Sequence, residues 1–141
     1  MLRRLLFTAA ASAAALSAVP SAAQAAEHPV APTDRLTITV ADSGSADGTY
    51  VLDCHRTGGT HPNAEKACAR LDEVTVYGKD PFAKTPRGAM CTMQYGGPAT
   101  ARVTGTWQGR PVDATYDRSD GCEISRWNRL GPVLPDTSAR A

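Results

Sequence analysis

The chain has 141 residues, with 15 Lys or Arg against 14 Asp or Glu, a formal net charge of +1, and four cysteines. So even a balance excludes the basic stripe of a nucleic-acid binder and the polybasic surface of a protein held on anionic lipid. Four cysteines without a single C-x-x-C pair point to two disulfides in an oxidising compartment, and the wide spacings give zinc ligation no support.

The first 25 residues, "MLRRLLFTAAASAAALSAVPSAAQA", put Arg3 and Arg4 before an apolar, alanine-rich run and close on Ala23-Gln24-Ala25. A basic start, an apolar middle and a small-x-small end are the order of a secretory signal peptide, so the protein is expected to be secreted and extracellular. The run is too short and too weakly apolar for a membrane anchor, and no later stretch is long enough to cross a bilayer. The signal takes two basic residues and no acidic one, leaving 13 against 14 and a mature charge of −1. Residues 26–34, with Pro29 and Pro32, read as a flexible lead-in. Residues 35–141 are enough for one domain with a modest core.

"RLTITVA" alternates Leu36, Ile38 and Val40 with Thr37 and Thr39, which predicts a half-buried strand. "DSGSADG" is a turn, and "TYVLDC" sets Tyr50, Leu52 and Cys54 on one face of a second strand. The period then changes. After Gly58-Gly59, read as a breaker, Thr60 is placed to cap a helix with Pro62 in its first turn. Ala64, Ala67, Cys68, Leu71 and Val74 form one apolar stripe at helical spacing. Cys68 lies on that stripe and faces the strand that ends in Cys54. Of three possible connectivities this favours Cys54–Cys68, and with it Cys91–Cys122. "TARVTGTWQGRPVDATYD" predicts two strands around Gln108-Gly109, with Val103 and Trp107 on one arm and Val112, Ala114 and Tyr116 on the other. A short helical or irregular tail follows Cys122, holding Trp127, Leu130 and Leu134, with no role assigned to it. Clustered strands with added helices make the class α+β with an antiparallel sheet.

Enzyme machinery is not visible. His55 and His61 come without H-E-x-x-H, G-x-S-x-G or paired carboxylates, and His61 beside Pro62 reads as a surface residue of a helical first turn. Asp72 and Glu73, adjacent on a helix, diverge to different faces. Neither "DSGSADG" nor "QYGGP" has a lysine placed for phosphate. No cofactor, metal or catalytic residue is expected.

"RGAMCTMQYGGP", Arg87 to Pro98, is apolar in a setting of turns. One reading is a substrate-like bait for a serine protease: Met93 as an apolar anchor, Cys91 as a covalent clamp, and Gly96, Gly97 and Pro98 returning the chain. The other makes Met93 a core residue and leaves the flanking turn residues unexplained. The residues alone leave both open.

From "LTITV" to Cys122 the chain resembles the subtilisin inhibitor-like family. The likeness is carried by "TYVLDC", "GTHPNAEKACARL", "MCTMQY", "VTGTWQGRPV" and "GCE", in the family's order and spacing. It implies a five-stranded antiparallel sheet with two helices on one face, disulfides Cys54–Cys68 and Cys91–Cys122, and dimerisation through the sheet. It also implies inhibition of an extracellular subtilisin-like serine protease at a reactive bond Met93–Gln94. The binding loop is then Met90, Cys91, Thr92, Met93, Gln94, Tyr95 and Gly96, with Asp120 and Cys122 as loop support. Met93 suits a roomy apolar pocket, whereas Arg87, outside the clamp, reads as a nicking site. The alternative is a secreted binding module on the same scaffold with a partner that is not a subtilisin. Thr92 stands where the family has Pro, Gln94 where it has Val, and Asp120 where the type member has Asn. Gly96-Gly97-Pro98 replaces Asp-Pro with one extra residue. More glycine and a lost amide donor lead to the expectation of a looser loop.

Overall fold

The computed structural model describes residues 34–137, so the signal peptide and all of the lead-in except Asp34 lie outside the described residues. Five strands form one antiparallel sheet in the order β3-β2-β1-β4-β5, with β1 at Arg35–Ala41, β2 at Gly48–Asp53, β3 at Gly58–Gly59, β4 at Thr100–Trp107 and β5 at Arg110–Tyr116. Two helices, α1 at Ala64–Val74 and α2 at Gly121–Arg129, complete the fold. The α+β class, the five strands and both predicted disulfides are present.

Alternation decides the faces. Leu36, Ile38 and Val40 of β1 are buried, as are Leu52 of β2, Ala101, Val103 and Trp107 of β4, and Ala114 and Tyr116 of β5. These residues share one core cluster with Ala67, Cys68 and Leu71 of α1 and Trp127 and Leu130 of α2, so both helices cover the same face. The other face presents Thr37, Thr39, Thr49, Val51, Arg102, Thr104 and Thr115 in register across β2, β1, β4 and β5. The β4–β5 hairpin turns on Gln108 and Gly109 at φ 46° and 74°. Positive φ at both central residues gives the turn twist that matches paired strands.

Three expectations change. Gly58-Gly59 does not break the chain but pairs with Leu52 and Asp53 as β3, where a Cβ on Gly59 would stand 2.1 Å from the Val51 carbonyl oxygen. That pairing keeps the chain extended through Thr60, whose Oγ1 accepts from Val51 N at 2.8 Å. Thr60 therefore caps nothing; α1 begins at Ala64 with Asn63 at its N-cap position. His61 is buried rather than a surface residue: its Nδ1 accepts from Asn63 N at 3.1 Å and its Nε2 donates to Val133 O at 3.0 Å. That second bond explains the tail. Leu130, Val133 and Leu134 close the core, and Trp127 Nε1 donates to Pro135 O at 2.9 Å.

Candidate functional site

The chain from Ala89 to Ala99 belongs to no helix or strand, and it is held from below by buried arginines, by α2 and by a disulfide. Its approach is fixed first. Arg126, buried on α2, donates from Nε to Ala83 O at 2.8 Å, from one terminal nitrogen to Thr115 O at 2.7 Å, and from the other to Phe82 O at 3.3 Å. The guanidinium also lies 4.0 Å over the Tyr116 ring. With Phe82 buried in the core, the segment entering the loop is pinned to the sheet.

Three consecutive residues at the start of α2 then take hold of the loop. Asp120 is the N-cap, its Oδ1 accepting from Cys122 N at 2.8 Å and Glu123 N at 2.9 Å. Gly121 N donates to Thr92 O at 3.0 Å. Cys122 is bonded to Cys91, with Cα atoms 5.3 Å apart. Thr92 packs directly on the helix start, where a Cβ on Gly121 would fall 2.0 Å from Thr92 Oγ1.

On the far side the hold is Arg118. Its backbone oxygen accepts from Gly96 N at 2.8 Å, and its Nε donates to Gly96 O at 3.0 Å. A Cβ on Gly96 would meet Ile124 Cγ1 at 2.8 Å and Arg118 Cβ at 3.0 Å. Glycine here allows close packing on α2, so the expected looseness is not found at this position. Gly97, at φ 98° with open space around it, makes the turn.

Between these holds the chain stands free. Met93 is 98% exposed and Tyr95 68%, and Met90, just before the clamp, is 98% exposed. Among the described residues no intramolecular backbone hydrogen bond involves Met93 or Gln94. The core alternative for Met93 is thereby excluded. Of the predicted loop, Met90 to Gly96, the structure fastens Cys91 to Cys122, Thr92 to Gly121 and Gly96 to Arg118. Asp120 supports it at one remove, by capping the helix that does the holding, and a carboxylate suits that task. Cys54–Cys68 joins the end of β2 to α1 and takes no part in the loop's bonds. Cys91, Asp120 and Cys122 cluster closely enough to suggest a metal, but both sulfurs are spent in the disulfide.

Sequence reasoning missed Arg118 and Arg126. A signal existed for the first: Val112, Ala114 and Tyr116 set an inward alternation that next falls on Arg118, a charge on the core face.

A family model for subtilisin inhibitor-like domains matches residues 30–119. "Subtilisin inhibitor-like protein 1" of Streptomyces cacaoi is 41% identical over 86 residues, 57% of this chain and 74% of that protein. The "Subtilisin inhibitor" of Streptomyces violaceus is 36% identical over 139 residues, 89% of this chain and 91% of that one. A chain in the crystal structure of Streptomyces caespitosus sermetstatin in complex with Bacillus licheniformis subtilisin aligns at 24% identity with a TM-score of 0.44, over 74% of this chain and 99% of that one. The sequence matches, together with a loop tied on both sides of an exposed methionine, place the chain in the subtilisin inhibitor-like family.

Proposed function

We propose that the protein is a secreted inhibitor of extracellular subtilisin-like serine proteases, bound like a substrate at Met93–Gln94. The observation that carries this is a 98% exposed Met93 on a segment anchored at Thr92 and again at Gly96. In this reading the Met93 side chain fills the protease's apolar specificity pocket, a burial contributing roughly 1.5–3 kcal/mol. Ordering a free peptide costs about 1–2 kcal/mol per residue in backbone entropy, and a loop already tied on both sides has paid most of it in folding. The backbone groups of Met93 and Gln94 remain available for the protease. Membership of an inhibitor family supports a role without catalysis of its own, and the leader sequence and two disulfides support export.

The same reading makes the protein a homodimer through the outward face of the sheet. That face is left uncovered by both helices and is rich in Thr37, Thr39, Thr49 and Thr104. Thr39→Glu, which sets a carboxylate on it, turns the dimer into a monomer by sedimentation; an unchanged mass refutes this contact.

Titrating a subtilisin-type protease with the mature protein tests the main reading. Stoichiometric loss of activity, with slow cleavage located by sequencing at Met93–Gln94, is expected. Rapid degradation without inhibition refutes it and leaves the alternative, a binding module for another partner.

A further inference from the structure

If Met93–Gln94 is the reactive bond, the structure assigns to Arg118 a part in re-forming it. The protease's serine Oγ attacks the Met93 carbonyl carbon; the Met93–Gln94 C–N bond breaks, and the Gln94 nitrogen leaves as an amine with the proton relayed from the serine. Two nucleophiles then compete for the resulting ester. Water gives the nicked inhibitor. The Gln94 amine, attacking in reverse, re-forms the peptide bond and returns the proton to the serine. Which wins depends on whether Gln94 stays beside the ester carbon.

After cleavage the Cys91–Cys122 disulfide and the Gly121 N to Thr92 O bond hold only the Met93 side of the break. The Gln94 side begins with two exposed residues and is next fastened at Gly96. There Arg118 closes a reciprocal pair of bonds, its oxygen taking Gly96 N at 2.8 Å and its Nε reaching Gly96 O at 3.0 Å. The side chain is itself positioned. Arg118 is 5% exposed, it donates to Asn128 Oδ1 at 3.1 Å, and its guanidinium carbon lies 5.7 Å from the Trp127 ring centroid. Asp117 Oδ1, accepting from Ser119 N at 2.9 Å, fixes the turn that aims both groups of Arg118 at Gly96. We propose that Arg118 is a positioning residue that keeps the Gln94 amine within reach of the acyl-enzyme.

The test uses the intact and nicked forms of the full mature protein, which stay joined by the disulfide and separate as two chains on reduction. Each form is incubated with catalytic subtilisin until the ratio of intact to nicked is constant. In Arg118→Met and, to a smaller extent, Asn128→Ala, the constant ratio is expected to move toward nicked. For Arg118→Met the shift is about tenfold, with re-formation from purified nicked protein slowed by a similar factor. A merely structural role for Arg118 lowers the melting temperature and leaves the ratio alone, which overturns the proposal. Should Arg118→Met not fold, Asn128→Ala decides: a shift in the same direction supports the proposal and an unchanged ratio overturns it. A wild-type protein that inhibits while its variants match it refutes Arg118 alone. A wild-type protein that does not inhibit refutes the reading of the loop as well.

Discussion

Gly121→Ala tests whether the start of α2 sets the shape of the loop. The new Cβ would lie 2.0 Å from Thr92 Oγ1, where ordinary contact begins near 3.4 Å. Thr92 must therefore withdraw by about 1.4 Å or swing its hydroxyl into the space of its neighbours. A retreat of that size carries Thr92 O beyond hydrogen-bonding range of Gly121 N, now at 3.0 Å. The lost bond contributes about 0.5–1.5 kcal/mol, and its upper end corresponds to roughly a tenfold weaker inhibition constant. Fold stability falls by less, because alanine suits a helix better than glycine by up to about 1 kcal/mol, which offsets part of the lost bond. The assay is inhibition of subtilisin alongside a thermal melt, for Gly121→Ala, Thr92→Ala and the double variant. Removing Oγ1 leaves contacts no closer than 3.3 Å, so the double variant is expected to inhibit better than Gly121→Ala. Wild-type inhibition by Gly121→Ala, or effects that simply add, refutes the reasoning.

Met93→Lys moves potency from subtilisin toward trypsin, whose pocket takes a long cation, with an unchanged melting temperature; potency that stays with subtilisin refutes Met93 as anchor. Cys91→Ser/Cys122→Ser weakens inhibition more than Cys54→Ser/Cys68→Ser does, although each bridge contributes about 3–4 kcal/mol to stability in the chain-entropy model. Inhibition unchanged on losing Cys91–Cys122 refutes the clamp. Burial pushes the Tyr116 hydroxyl up from 10.0 to about 12, offset in part by the adjacent Arg126 guanidinium. The folded protein therefore holds this proton where the unfolded chain loses it. Stability is full below pH 10 and falls by up to ~3 kcal/mol as the pH rises through 12. Urea melts across that range check it, with Tyr116→Phe flattening the fall.

The strands and the α1 stripe were legible because periods of two and 3.6 are local properties: Leu36-Ile38-Val40 and Ala67-Cys68-Leu71 point inward without reference to anything distant. The disulfides followed from the same faces. What could not be read was long-range polar bonding. His61 looked like a first-turn surface residue because its partner, Val133 O, lies 72 residues away. Thr60 looked like a cap because cap and strand edge call for the same hydroxyl, and only the pairing of Gly58-Gly59 with β2 decides between them. In the loop, the residues alone left Met93 open between anchor and core, and only the family resemblance set it outward, whereas the clamp at Cys91 was legible. The far-side hold was not, since Gly96 shows no side chain and Arg118 reads as surface until the alternation of β5 is carried past its end.

Met93 has a separate consequence for how such a protein diversifies. With a side chain 98% exposed, its replacement disturbs almost nothing in the fold, and substitutions at such sites usually change stability by less than about 0.5 kcal/mol. The positions around it have no such latitude: Gly96 and Gly121 are fixed by contact, and Cys91 and Cys122 by each other. If Met93 is the residue that enters the protease pocket, a single codon can change the target while the frame that presents it stays put.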